Sequence, residues 1–366
     1  MSRRRKPSDS IIMFSATTLL AIGVVMVFSS SSVRALQDYG DAYYFLKKQL
    51  MWSAIAAFGM ALASGVDYWQ YRRLIAPAFA MNILLLVLVL IPGVGIVSHG
   101  ARRSLGVGPL TMNPAEVMKI TWILFLSTYL SANREKLRLF FSGLCPYLVG
   151  AGAIFLLVYK EPDLGTALAI AGTTFVVLFS AGARLFHLTG LALASIPAFL
   201  WAAMSEEYRR ARLFAFLDPW ADPMKSGYHI IQSLYALGSG GLFGMGLGSG
   251  RQKMLFLPEA HTDFIFAVLG EEMGFVGALA VLSLFFLLAW RGYRVAMNAP
   301  DAMSCIMATG ITTMIALQAI INIGVVTASM PITGIPLPFV SYGGSSLVFT
   351  MAGVGILLNI SRYTTE

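Results

Sequence analysis

Residues 262–290 read TDFIFAVLGEEMGFVGALAVLSLFFLLAW. The apolar run from Phe264 to Trp290 spans 27 residues. As an α-helix that is ~40 Å, longer than a ~30 Å hydrocarbon layer, so the helix must tilt or protrude. Pro258 breaks any helix before it, Thr262 is placed to cap it, and Asp263 falls in its first turn. A carboxylate deep in lipid costs ~2.5–3.5 kcal/mol or more, so Asp263 is expected at or just above the membrane face. Glu271 and Glu272 lie at least two turns further in and are expected to pair with buried polar groups between helices. Gly270 and Gly274 beside them suit close helix packing.

The rest of the chain repeats this pattern. Its 366 residues are 57% hydrophobic and 12% charged, with a mean hydropathy of +0.73. That is about half the charge of a soluble domain. The apolar residues come in blocks long enough to cross a bilayer, at 11–32, 49–66, 74–97, 114–131, 143–159, 164–182, 185–203, 262–289, 302–328 and 343–360. The first block is longer than the 7 to 15 apolar residues of a signal peptide and is read as a retained helix. Arg3, Arg4, Arg5 and Lys6 hold its start in the cytoplasm. With an even number of spans, the loops carrying Arg72, Arg73, Arg134, Lys136, Arg138, Arg184, Arg291, Arg294 and Arg362 are cytoplasmic, as the positive-inside rule prefers.

The expected fold is therefore an all-α polytopic membrane protein with ten transmembrane helices and both termini in the cytoplasm. Residues 1–366 form a single integral membrane domain, and residues 204–261 form one large external loop between spans seven and eight. The net charge of +8 is scattered between apolar blocks, which fits anionic headgroups and not nucleic acid. Cys145 and Cys305 show no metal or disulfide spacing.

Five stretches carry groups that could do chemistry, and all fall on the external side of this topology. LPEAHTDFIFAVLGEEMGFVG, 257–277, gathers Glu259, His261 and Asp263 at a helix mouth in a chain with only 18 acidic residues. In SHGARRSLGVGPLTMNPAEVMKI, Arg102 and Arg103 offer two guanidinium forks suited to phosphate. Asn113 and Pro114 there open span four, and Glu116 and Lys119 pair one turn apart inside it. In YKEPDLGTALAI, Asp163 is a good cap for span six. ALGSGGLFGMGLGSGRQK lacks the GK[ST] of a nucleotide loop, but its glycines allow close backbone approach to a ligand, and Arg251 and Lys253 follow. MPITGIPLPFVSYGGSSL holds three prolines and three glycines between spans. Such backbone cannot face lipid, so a partly re-entrant loop is expected, with Ser341, Gly343 and Gly344 near the external site.

Taken together, LPEAHTDFIFAVLGEEMGFVG, PITGIPLPFVSYGGSS, EPDLGT, GARR…NPAEVMK and QSLYALGSGGLFGMGLG resemble the SEDS family (shape, elongation, division and sporulation) over nearly the whole chain. YGGSSL, GMGLGSGRQK and the ending LLNISRY are nearer its division and sporulation members than its elongation members. Two positions depart from the family pattern: Ser104 stands where Trp is common, and NPAE replaces the commoner QPSE. The resemblance implies a peptidoglycan polymerase that joins lipid II disaccharides on the outer face of the bacterial cytoplasmic membrane, at the septum. It implies a class B penicillin-binding protein transpeptidase as partner, alongside other division-complex membrane proteins, and it maps the family's key acidic residue onto Asp263.

The chemistry of that reaction suits these residues. A lipid diphosphate leaves without needing a proton, so one base for the attacking hydroxyl suffices, with positive charge on the leaving group. Glycosidases need a second carboxyl because their leaving alcohol must be protonated. Asp263 is the candidate base. Arg102, Arg103, Lys119, Arg251 and Lys253 are the candidate diphosphate cations. Glu116, Asp163, Glu259, His261, Ser341, Gly343 and Gly344 are the remaining candidate substrate contacts. A divalent cation, magnesium or manganese, could assist the diphosphate, but no ligand cluster demands one. Two other classes of function compete: a lipid II flippase, motivated by the charges within spans, and a non-catalytic division scaffold.

Overall fold

Polar residues at the ends of the apolar blocks decide where the helices begin. In the computed structural model, which describes residues 6–98, 101–107, 110–254 and 256–364, Asp9 caps α1 (Ser10–Tyr39) through the amides of Ile11 and Ile12. Arg3, Arg4 and Arg5 lie outside the described residues. Asn113 caps α4 (Pro114–Ala132) and Asp163 caps α6 (Leu164–Ser180), both as expected. Between these run α2 (Tyr44–Gly65), α3 (Tyr71–Leu90) and α5 (Cys145–Lys160). The remaining helices are α7 (Leu185–Met204), α8 (Glu207–Leu217), α9 (Tyr228–Gly240), α10 (Ile265–Met297), α11 (Ala302–Val326) and α12 (Gly344–Ser361). Among the described residues, seven helical segments are long and apolar enough to cross a membrane, and α6 is a shorter apolar helix.

The chain is helical as expected, with one short β element. The segment after α3 forms a small antiparallel meander of β1 (Ile96–Ser98), β2 (Ala101–Val107) and β3 (Leu110–Met112). The segment 204–261 carries α8 and α9. Thr262 does not cap α10. Its hydroxyl turns back to Glu259, and the helix starts at Ile265.

The bundle closes through glycines. A Cβ on Gly355 of α12 would sit 2.3 Å from the Met60 carbonyl of α2, and one on Gly344 would sit 2.3 Å from the Trp52 indole. No larger residue allows such approach, which is how helices gain packing contact in lipid. Near the middle of α1, a Cβ on Gly23 would sit 2.4 Å from the Phe339 carbonyl oxygen and 2.8 Å from Val340 Cα. The irregular segment 331–343 therefore reaches about halfway down α1. It is shielded by protein: Ile335, Leu337, Phe339 and Val340 are buried. Such enclosure by protein is what a partly re-entrant loop requires.

Helix α10 is interrupted at Gly274, whose φ of 68° is left-handed. The break frees backbone groups inside the span, and the glycine-rich segment satisfies them. The amides of Phe275 and Val276 donate to the carbonyls of Gly241 and Leu242 at 2.9 and 3.1 Å. The amides of Met245 and Gly246 donate to Glu271 and Glu272 carbonyls, both at 3.0 Å. A Cβ on Gly240 would lie 2.0 Å from the Gly270 carbonyl, and one on Gly244 would lie 2.2 Å from that of Glu272. Gly240 and Gly244 bring backbone against backbone. Gly274 both breaks the helix and packs closely as expected, since a Cβ there would lie 2.3 Å from the Gly244 amide nitrogen.

Candidate active site

Asp263 is half-buried in the short segment before α10, at the mouth of the re-entrant loop. Three side chains fix this segment. Ser341 Oγ donates to the Thr262 carbonyl at 2.6 Å and accepts the Leu337 amide at 2.8 Å. Asn322 Nδ2 donates to the carbonyls of Asp263 and Ile335, both at 2.8 Å. Thr262 Oγ1 donates to Glu259 at 2.9 Å, and Glu259 in turn lies 3.6 Å from Arg34. Gly334, at φ 76°, passes close by: a Cβ there would stand 3.6 Å from Asp263 Oδ2.

The carboxyl of Asp263 is pushed up to about 6, first by burial and then by the negative charge of Glu259. Arg212 pulls it down, Asp163 pushes it up and Arg103 pulls it down. These four charged residues come from four separate segments and converge on one carboxylate. A base with this value is ionised at neutral pH yet still holds a transferred proton well.

Arg103 reaches the site through strand alternation. Neighbouring residues of β2 point to opposite faces, so Arg102 is exposed while Arg103 turns inward. Arg103 Nε donates to the Glu161 carbonyl at 3.1 Å and Nη2 to the Pro162 carbonyl at 2.5 Å, clamping the α5–α6 turn. Asp163 is buried there as the cap of α6. Glu161 beside it is fully buried, and burial together with Asp163 pushes its carboxyl up to about 8, against the pull of Arg103.

Several candidates are engaged by neighbouring groups. His261 is buried, with its ring packed 4.7 Å from Phe45 and 5.7 Å from Tyr342, and its carbonyl accepts the Tyr342 amide. Ser341 is spent on backbone groups, and Gly344 seats α12 on Trp52. Gly343 is extended backbone at φ 175° preceding that helix. Lys253 is buried and ion-paired with Glu272 at 2.6 Å, and its ammonium also donates to Ser29 at 2.9 Å. Glu272 accepts Ser29 and the Gly248 amide as well, while Glu271 accepts the amides of Arg251 and Gln252. The two glutamates pair with buried polar groups as expected, and what they hold is the glycine-rich segment. Arg251 keeps an exposed side chain. Glu116 and Lys119 form a buried pair at 2.6 Å within α4.

Sequence reasoning missed Arg212, Glu161, Asn322 and His229. His229 on α9 stacks on Phe264 at 5.9 Å, and burial and Arg212 push its imidazole down against the opposing pull of Glu259. Asn322 was findable, because a lone amide in an apolar span needs a partner. Arg212 sits in the unremarkable basic run EYRRARLF and carries no motif.

Among the described residues no group of three or more His, Cys, Asp or Glu is placed to hold a metal ion. A charged carboxylate with cations, partly enclosed at one end of an apolar bundle, can take a proton from a hydroxyl and bind a lipid-borne anion.

Comparison with known proteins agrees with this class. Residues 9–366 match the FtsW, RodA and SpoVE family of cell cycle proteins, and the chain belongs to that family. It is 46% identical over 364 residues to stage V sporulation protein E of Bacillus subtilis (strain 168), covering 100% of both chains. It is 42% identical to the probable peptidoglycan glycosyltransferase FtsW of Geobacter metallireducens, covering 96% of this chain and 94% of the other. Among solved structures, a chain from a study of a peptidoglycan synthase complex that coordinates polymerization and crosslinking superposes with a TM-score of 0.79 at 30% identity, covering 97% of this chain and 98% of that one. The rod shape determining protein RodA of Thermus thermophilus superposes with a TM-score of 0.73 at 28% identity, covering 98% of each.

Proposed function

We propose that this chain is a peptidoglycan glycosyltransferase that polymerises lipid II on the outer face of the bacterial cytoplasmic membrane. The observation that carries the reading is the Asp263 carboxyl, held up to about 6 beside Arg103 and Arg212 at the rim of a re-entrant loop. The naming of full-length relatives as peptidoglycan glycosyltransferases supports it.

In this reading α1 to α7 and α10 to α12 make ten passes, with both termini cytoplasmic and the Asp263 end outside. Asp263 takes the proton of the attacking sugar hydroxyl. The hydroxyl oxygen bonds to the donor's anomeric carbon from the face opposite the diphosphate, inverting that centre. The diphosphate departs with the electron pair of the broken bond. A general base of this kind contributes ~10²–10⁴ in rate. The isoprenoid tail lies in the apolar groove of about 720 Å³ between α5, α6 and α7, lined by Ala151, Phe155, Leu168, Gly172, Phe175 and Ile196 among others. Magnesium or manganese would supply further positive charge to the diphosphate; titration with a chelator tests that contribution. The partner is a class B penicillin-binding protein at the septum, within the division complex; the structural relative from a peptidoglycan synthase complex supports such pairing.

Purified protein given lipid II, alone and with a candidate transpeptidase, should yield a ladder of glycan strands on a gel. Movement of lipid II across vesicles with no polymer formed would overturn the reading in favour of a flippase.

A further inference from the structure

A reaction that expels a diphosphate next to an anionic base needs a cation that is close to the base and not already engaged. The candidate cations can be sorted by what they already hold. Arg103 gives Nε and Nη2 to backbone carbonyls. Lys119 and Lys253 are buried in ion pairs. Arg209 is buried, donates to Ala202, Ser205 and Tyr208, and stacks 4.1 Å over Tyr159. Arg212, one turn further along α8, is exposed, and among the described residues it makes no hydrogen bond or ion pair. Its guanidinium only leans over the Tyr208 ring at 5.6 Å.

Arg212 also faces a built cavity. A void of about 60 Å³ lies between the first turns of α6, helix α8 and residues 331–333, lined by Gly165, Leu168, Arg209, Arg212 and Thr333 among others. The Thr333 hydroxyl is buried without a hydrogen-bond partner. A buried donor left unpaired is costly, and a phosphate oxygen would satisfy it. The lower wall is apolar, and Leu168 is shared with the larger groove between α5, α6 and α7. A cation and an unpartnered hydroxyl thus stand next to the apolar groove, with Leu168 common to both.

We propose that Arg212, with Thr333, binds the diphosphate of the lipid-linked donor and so marks the donor side of the Asp263 crevice. The inference rests on the glycosyl-transfer reading above and assigns one half of its site. A planar guanidinium suits the two phosphoryl groups through paired N–H donors, and it stays charged at every working pH. As the bond from the anomeric carbon to the diphosphate breaks, the electron pair goes to the diphosphate oxygen, where Arg212 meets it. The proton goes from the acceptor hydroxyl to Asp263. The acceptor must then approach from the opposite side of Asp263.

The test compares wild type, Arg212→Ala, Arg212→Lys and Thr333→Val for two readouts: binding of a polyprenyl diphosphate, measured directly, and the KM and kcat of lipid II polymerisation. A polyprenyl monophosphate serves as control. Losing a charged hydrogen-bonding group should weaken diphosphate binding and raise KM by about 10- to 100-fold in Arg212→Ala. Arg212→Lys should recover part of both, and Thr333→Val should show a loss of a few-fold. Monophosphate binding should change less. Arg212 is exposed, so its variants should melt with wild type. Unchanged diphosphate binding in Arg212→Ala would overturn the assignment, whether or not polymerisation falls. If wild type binds the diphosphate through Arg212 but makes no polymer, the enzyme reading fails and the binding site stands.

Discussion

The side-chain amide of Asn322 bridges the backbone carbonyls of Asp263 and Ile335, at 2.8 Å to each. One residue of α11 thereby ties the segment carrying the carboxylate to the re-entrant loop. Asn322→Ala leaves two enclosed carbonyls without that donor, each costing about 1–3 kcal/mol where water cannot replace it. The expected result is a lower melting temperature in detergent and a loss of polymerisation on the order of 10²-fold, the scale of a 1 Å misplacement. Equal activity in Asn322→Ala would remove the bridge from the catalytic frame.

The pH dependence of polymerisation follows from Asp263. Only its ionised form accepts a proton, and burial and Glu259 push its carboxyl up to about 6. Rate should therefore rise with pH through about 6 and level off above it. Removing the Glu259 charge with Glu259→Gln should move this acidic limb to lower pH, because the like charge that raises Asp263 is gone. An unmoved limb would mean that another group sets it.

Glu161 makes the opposite prediction for stability. Its carboxyl has an ordinary value of 4.5 and is pushed up to about 8 in the fold. Between those values the folded chain holds a proton that the unfolded chain has lost. Stability from this residue is therefore full below about 4.5 and is lost as pH rises through about 8. The swing is on the order of a few kcal/mol. Glu161→Gln keeps the neutral shape and should flatten the fall in melting temperature across that window. A steep fall retained in Glu161→Gln would assign it elsewhere.

The buried pair of Lys253 and Glu272 should behave as a latch on the glycine-rich segment. Lys253→Met strands a buried carboxylate and should cost about 3–5 kcal/mol. Lys253→Met combined with Glu272→Met removes both charges and should recover much of that loss. Thermal melts of the two single variants and the double variant measure the coupling, and simple additivity would refute it.

Much of this architecture was legible because the bilayer allows so few solutions. Apolar blocks of fixed length gave the helices, and Asn113 and Asp163 marked their starts. The proline- and glycine-rich stretch 330–347 had to be shielded from lipid, and it is. The β-meander was not legible, since its strands are short and lack clear alternation. The glycine cluster signalled close approach without saying to what; Gly240 and Gly244 meet the broken backbone of α10. Among the site residues, Asp263 stood out by position. Lys253 and His261 looked available only because a sequence does not show that a neighbour already holds them. Arg212 was hidden for the converse reason: its charge acts on Asp263 only through the placement of α8, which no motif signals.

The most direct measurement is polymerisation of purified lipid II by Asp263→Asn, an isosteric change that removes the base while keeping the shape. The variant should melt like wild type or slightly higher and bind lipid II, and its rate of strand synthesis should fall by about 10²–10⁴-fold. Synthesis within a few-fold of wild type would contradict the role of Asp263 as the base.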